Sequence, residues 1–373
     1  MVRGLMSLLA LALSAGVALA QGVTDTQVVL GQSVALSGPA QELGKDMQLG
    51  ASLYFNEVNA RGGVNGRKIV LKTLDDGYEP PRAAENTRKL INDEKVFALF
   101  GYVGTPTSQA SLPIFTEAKV PFVGAFTGAE LLRNPFNRYI FNVRASYFDE
   151  TEAIVQHLTA MSVTKIAVFY QNDAYGLAGL TGVERALKKR NLGLAGKATV
   201  ERNTVDVAKA VAELRQAAPE AIIMISAYKS CAAFIKEMKQ AGSNPYFWNV
   251  SFVGSKALAS ELGVAGRGVQ VSQVVPFPWD SSIPVVKEYR ALLAEAKGEP
   301  GFGTLEGYIA AKVMVEGIRR AGKNLTRESF IKAMESLSPY DAGGFKVSYG
   351  PDNHNGSTFV DLTIISRSLK FVR

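Results

Sequence analysis

The chain has 373 residues, 47% of them hydrophobic and 20% charged, with 41 Lys and Arg against 34 Asp and Glu for a net charge of +7. Length and apolar content suffice for a sizeable core and predict about two domains. The basic residues are scattered, so they form no nucleic-acid stripe, and the single cysteine, Cys231, excludes an intramolecular disulfide.

Residues 1–20 differ in kind from the rest. One positive charge at Arg3 precedes an apolar and small-residue stretch that ends in Ala18-Leu19-Ala20, an A-x-A cleavage pattern. This predicts a secretory signal peptide and a free mature protein in the periplasm, not inserted in the membrane. No cysteine stands near the cleavage point to carry a lipid.

Residues 27–36 (QVVLGQSVAL) predict a first buried strand and residues 37–44 (SGPAQELG) its turn. A helix is expected over 45–60, ended by the Arg61-Gly62-Gly63 turn, and a strand over 67–74. Asp75 and Asp76 follow. With no histidine nearby they suit a solvated turn or a helix cap better than a metal or acid–base pair. After a helix over 82–94 comes one device written twice. An apolar run at 96–100, then another at 120–123, each leads into a small-residue turn, GYVGTP and GAFTG, and then a helix-like segment. Such turns aim backbone N–H groups and a hydroxyl at open space, a ready anion site where the helix dipole is positive. The same small residues also suit close packing of strand on helix, and the residues alone leave both open.

A second βα series follows: helix 147–161, strand 165–170, the turn QNDAYG, helix 177–190, an extended stretch at 193–200, helix 205–217, strand 221–226 and helix 231–240. Residues 247–254 suggest a strand and turn, and 269–275 lead out to VVPFPWD, whose prolines mark a crossover. Helices are expected at 285–296, 304–321 and 327–337, with late strands within 356–372. The alternation predicts an α/β fold of parallel sheets covered by helices. Only His157 and His354 are present, and no zinc-protease, nucleophile-elbow, P-loop or dinucleotide motif appears, so no cofactor, metal or catalytic group is expected.

In order and spacing, SGPAQELG, NARGGVNGRKI, LDDGYEP, GYVGTPTSQA, AFTGAEL, NDAYG and FVGSKALA resemble the leucine/isoleucine/valine-type periplasmic binding proteins of ATP-driven (ABC) importers. The resemblance implies a type I periplasmic-binding-protein fold: two Rossmann-like lobes joined by three hinge crossovers, near Asn142, Val274 and Tyr349, with one solute in the cleft. Lobe 1 would comprise 24–142 plus 275–348, and lobe 2 143–274 plus 349–373. It implies a monomer that delivers a small carboxylate-bearing solute, branched-chain amino acid-like or an aromatic or dicarboxylic acid, to an ABC permease.

Carried over by position, GYVGT places Val103, Gly104 and Thr105 at the solute carboxylate, and AFTGAEL adds Ala125, Phe126 and Thr127. From the second lobe Tyr175 and Tyr228 would face the solute, and Leu43 would lie against its side chain. Outside the resemblance, both tyrosines suit ordinary core positions. Where the family has an acid for the solute ammonium, this chain has Lys256. Two positive charges about 4 Å apart repel by about 4 kcal/mol at an effective dielectric near 20. An inward Lys256 therefore disfavours an ammonium; an outward one leaves Ser255 as the local polar group. A periplasmic sensor, or a hydrolase or reductase, remain the competing readings.

Overall fold

The computed structural model describes residues 21–373; the expected signal peptide lies outside the described residues. Strands β1 (Gln27–Val34), β2 (Lys68–Asp75), β3 (Ala98–Phe100), β4 (Phe122–Val123) and β5 (Ile140–Phe141) form a parallel sheet in the order β2-β1-β3-β4-β5. Helices α1 (Gln41–Ala60), α2 (Pro80–Asn92) and α3 (Thr105–Glu117) connect its strands. Runs such as Ala98-Leu99-Phe100 are fully buried, as a parallel sheet covered on both faces requires.

The second lobe begins with α4 (Tyr147–Ala160), whose Ser146 and Asp149 form a capping box. It continues with β6 (Ile166–Gln171), α5 (Ala174–Lys188), β7 (Gly196–Val200), α6 (Ala208–Ala217), β8 (Ala221–Ile225), α7 (Tyr228–Gln240), β9 (Tyr246–Asn249), α8 (Ser255–Leu262) and β10 (Gln270–Gln273). After β10 the chain forms α9 (Pro284–Glu295), α10 (Phe302–Ala321), α11 (Arg327–Glu335) and a hairpin of β11 (Tyr340–Asp341) and β12 (Lys346–Val347). It then returns through β13 (Asp361–Ile365) and β14 (Phe371–Val372). The second sheet has the order β14-β13-β10-β9-β8-β6-β7; β13 and β14 are its antiparallel members.

Three local expectations change. The expected turn at 37–44 is helical from Gln41 on, which puts Leu43 inside α1. The second small-residue turn is followed by a three-residue 3₁₀ turn, Glu130–Leu132, so a helix dipole stands behind Thr105 but not behind Thr127. FVGSKALA runs on from the expected turn into an eight-residue helix, α8, where no element was expected.

Helices α1 and α10 cross closely because glycines stand at the contact. A Cβ on Gly50 would lie 1.9 Å from the Thr304 carbonyl oxygen, and one on Gly307 2.5 Å from that of Met47. This crossing brings Asp46 beside the first turn of α10.

The Asp75-Asp76 pair divides its roles. Asp75 accepts from the Leu36, Ser37 and Gly77 amides and the Ser37 hydroxyl, which ties the turn after β1 to that after β2. Burial works against its ionisation, but these donors hold its pKa down to about 2. Asp76 is not solvated: it is 0% exposed, and accepts from the Ser33 hydroxyl at 2.7 Å and the Tyr78 amide at 2.8 Å. Burial outweighs both donors and raises its pKa to about 6. A raised carboxyl contributes stability below its unfolded pKa and loses it as pH climbs through the folded one. Asp76→Asn is therefore expected to gain about 2 kcal/mol relative to the parent between pH 4 and pH 8, read from urea melts at both pH values.

Candidate functional site

The carboxyl ends of the two sheets face each other, the place where open α/β sheets bind ligands. From the first lobe, Gly104 caps α3 with φ +103°, and a Cβ there would meet Tyr78 Cε2 at 2.2 Å. Glycine is required because the Tyr78 ring lies directly on the backbone. Thr105, the first residue of α3, and Thr127 are both 0% exposed, and their hydroxyls bond to each other at 2.7 Å. Thr127 also donates to the Tyr147 hydroxyl at 3.2 Å. Val103 pairs with Phe126 in an isolated bridge that holds the two turns side by side.

From the second lobe, Asp173 caps α5 by accepting from the Tyr175 amide, which fixes Tyr175 in the first turn. The Tyr175 ring lies 5.4 Å from Tyr147 and 4.5 Å from Phe252, and its buried hydroxyl makes no hydrogen bond. Phe252 sits in a 3₁₀ turn after β9 and reaches across the cleft to Phe126 at 5.7 Å and Tyr78 at 5.8 Å. The lobes are thus closed, with aromatic side chains filling the middle of the cleft, and a solute reaches Thr105 and Thr127 only when they part. Gln171 at the end of β6 donates to the Tyr78 hydroxyl at 3.2 Å.

Beside this aromatic centre lies a buried charge network. Arg144, 1% exposed, stands 3.3 Å from Glu150 and 3.5 Å from Glu306, bonds the Ser251 hydroxyl, and lies over the Phe126 ring at 5.0 Å. Glu150 also accepts from the Ser251 amide at 2.7 Å and the Ser272 hydroxyl at 2.6 Å. The network joins α4 and the turn after β9 in the second lobe to α10, which packs on the first.

The remaining expected residues divide. Leu43 is buried across the cleft from Gly254, and Tyr228, first in α7, turns its hydroxyl toward the Glu42 turn of α1. The Ala125 side chain packs in the apolar cluster with Leu99 and Phe122 on the far face of the sheet. Ser255 accepts from Gln273 at 3.0 Å inside the cleft. Lys256 points outward: its side chain is 45% exposed and pairs with Glu299 at 2.9 Å on the rim. Tyr78, Tyr147, Gln171, Phe252 and the Arg144 network have no place in the sequence expectation. Phe277 and Trp279 pack with Phe302 and Phe371 at the crossover.

A polar clasp closes the opposite rim. Arg202 of the second lobe lies 2.9 Å from Glu79 of the first, and Asn203 donates to Glu79 at 2.7 Å and to the Gly77 carbonyl at 3.1 Å. The pair is partly exposed, so it is worth about 1 kcal/mol. Arg202→Ala is expected to weaken solute binding about fivefold by calorimetry, mainly through faster release, with a smaller effect at high salt.

Two α/β lobes closing on a shared cleft define a solute-binding clamshell. Residues 27–365 match the sequence profile of the Periplasmic binding protein family, and the chain belongs to that family. It is similar to a possible leucine/isoleucine/valine-binding protein from Rhodopirellula baltica SH 1, at 36% identity and a TM-score of 0.90 over 94% of this chain and 97% of that one. A substrate-binding periplasmic protein from Ralstonia solanacearum is 32% identical, with a TM-score of 0.88 over 93% and 99% of the two chains. Leu/Ile/Val-binding protein homolog 7 of Brucella abortus is 27% identical over 94% of this chain and 90% of its own. Among the described residues no helix is long and apolar enough to cross a membrane, and no group of three or more His, Cys, Asp or Glu is placed to hold a metal ion.

Proposed function

We propose that the chain is the periplasmic solute receptor of an ABC importer, enclosing one small carboxylate-bearing solute between its lobes and passing it unchanged to a membrane permease. The lobes are taken as 24–142 plus 275–348 and 143–274 plus 349–373. The observation that carries this reading is the Thr105–Thr127 hydroxyl pair of the first lobe, which bonds to Tyr147 and through that ring meets Tyr175 of the second lobe, whose buried hydroxyl makes no hydrogen bond. Once the lobes part, the two threonine hydroxyls and the amides at the start of α3 are donors for a carboxylate, and Tyr175 supplies the lid. The solute contacts the second lobe only when the hinge closes, and so shifts the population toward the closed form.

The histidines support a receptor over an enzyme. The His354 imidazole hydrogen-bonds the Ile140 carbonyl and stacks on Phe141 at the crossover, while His157 lies against Trp248. Neither reaches the cleft. Thermal shift across amino acids, aromatic acids, dicarboxylates and amides tests the reading. A carboxylate is expected to raise the melting temperature and to be recovered chemically intact. Stabilisation only by solutes without a carboxylate, or turnover of the solute, contradicts it.

A further inference from the structure

A groove of about 830 Å³ lies at the crossover after β10, and neither Thr105, Thr127 nor Tyr175 lines it. Its size is that of a small-molecule site. One wall is α8 of the second lobe, which brings Lys256. The facing wall is Glu299 and Pro300, which lead into α10, the helix crossed on α1 of the first lobe. Between the walls lie Phe277 and Trp279 of the crossover and the Leu369–Phe371 end of the β13–β14 hairpin.

Aromatic rings form the base of this groove. Trp279 meets Phe277 at 5.0 Å and lies nearly parallel to Phe371, with 19° between the planes and 6.3 Å between the centroids. Phe302 backs these rings and also lines the small space of about 10 Å³ inside the cleft, so it stands between groove and cleft. Packing at the crossover accounts for the buried Phe302 and Phe371. It does not account for Trp279 and Leu369, which line one groove and are 38% and 39% exposed. Large apolar side chains gathered in a concavity open to water mark a binding site.

Charge narrows the occupant. Lys256 is paired with Glu299 at 2.9 Å, whereas Lys370, between Leu369 and Phe371 on the lining, makes no ion pair among the described residues. Ring faces with one unpaired cation at their edge complement an amphipathic anion, and near-parallel rings suit a flat aromatic body better than an alkyl chain. The Lys256–Glu299 pair also crosses from the second lobe to the first. The groove therefore has its full shape only while the lobes are closed, and an occupant that touches both walls favours closure.

We propose that this groove is a second binding site, distinct from the cleft, for an aromatic monocarboxylate whose rings lie against Trp279 and Phe371 and whose carboxylate pairs with Lys370, and that its occupancy stabilises the closed form. The coupling to closure rests on the receptor reading; the groove itself does not.

The test follows tryptophan fluorescence of the mature chain during titration with biphenyl-4-carboxylate and, separately, with its uncharged amide. Trp279→Phe assigns the signal, since the other tryptophan, Trp248, is 2% exposed in β9. The carboxylate is expected to quench Trp279 with a Kd below about 1 mM and to bind about fivefold more tightly than the amide. Lys370→Glu should abolish that preference. With the cleft saturated by the solute that most raises the melting temperature, the carboxylate should bind at least threefold more tightly, and the solute should gain the same factor from the carboxylate. No quenching, equal binding of the amide, or an undiminished preference in Lys370→Glu overturns the site. Quenching abolished by the solute overturns it too, because it places the carboxylate in the cleft. So does a Trp279 emission that shifts with protein concentration before any carboxylate is added, which places a second copy in the groove. Equal affinity with and without solute contradicts the coupling alone. If no solute raises the melting temperature, the receptor reading fails, and the groove is still decided by quenching and by Lys370→Glu in the chain alone.

Discussion

Arg144→Ala is expected to lower the unfolding free energy by about 3 to 5 kcal/mol, the cost of leaving a buried acid without its counter-charge. Arg144 and Glu150 are 1% and 0% exposed, and the variant strips Glu150 of its cation in a place water does not reach. The Ser251 amide and the Ser251 and Ser272 hydroxyls would still donate to Glu150, but they stabilise a carboxylate only in part. Urea unfolding checks the magnitude. Glu150→Gln in the Arg144→Ala background should recover more than half of the loss, because it removes the stranded charge. A loss under 1 kcal/mol would mean that the network is wet or rearranged.

Gly104→Val is expected to weaken solute binding at least a hundredfold. The residue sits at φ +103° and ψ 151°, a region open essentially to glycine alone, where a side chain costs about 1 to 3 kcal/mol. Its Cβ would overlap the Tyr78 ring, which is held by Gln171 on one side and packed on Phe252 on the other. The ring can escape only by opening the cleft, so the penalty falls on the closed form that holds the solute. A hundredfold loss corresponds to about 2.8 kcal/mol, within reach of the steric overlap in the closed form, while the backbone strain, common to open and closed forms, lowers stability rather than affinity. Calorimetry on the variant should show that loss with the far-ultraviolet circular dichroism unchanged.

The alternation of strand and helix was legible because buried parallel strands are short apolar runs set off by turn residues, as 96–100 and 221–226 are. Most differences are boundary shifts of one to four residues, with the larger ones at helix starts: α1, α5 and α7 each begin earlier than expected, at Gln41, Ala174 and Tyr228. These first turns carry Leu43, Tyr175 and Tyr228, so the shifts set which way those side chains face. Helix α8 was missed because FVGSKALA follows a strand with a glycine turn, and Gly254 serves there as the residue before the helix.

At the site, the turns that bring Thr105, Thr127 and Tyr175 together are local features and could be read from segments of five or six residues. Tyr78, Phe252 and the Arg144 network could not, because their partners are distant: Gln171 meets Tyr78 across 93 residues, and Ser251 meets Glu150 across 101. One signal was present. Glu306 lies in a helix whose neighbouring positions are buried, and Asp46 stands beside Met47 on the face of α1 that meets it. A carboxyl at a core spacing is out of place unless something charged meets it.

Small-angle X-ray scattering of the purified mature chain, alone and saturated with the solute that most raises its melting temperature, tests closure around one guest most directly. The radius of gyration should fall on saturation, with the bound profile matching that of the closed lobes. An unchanged radius in the presence of bound solute would contradict the account.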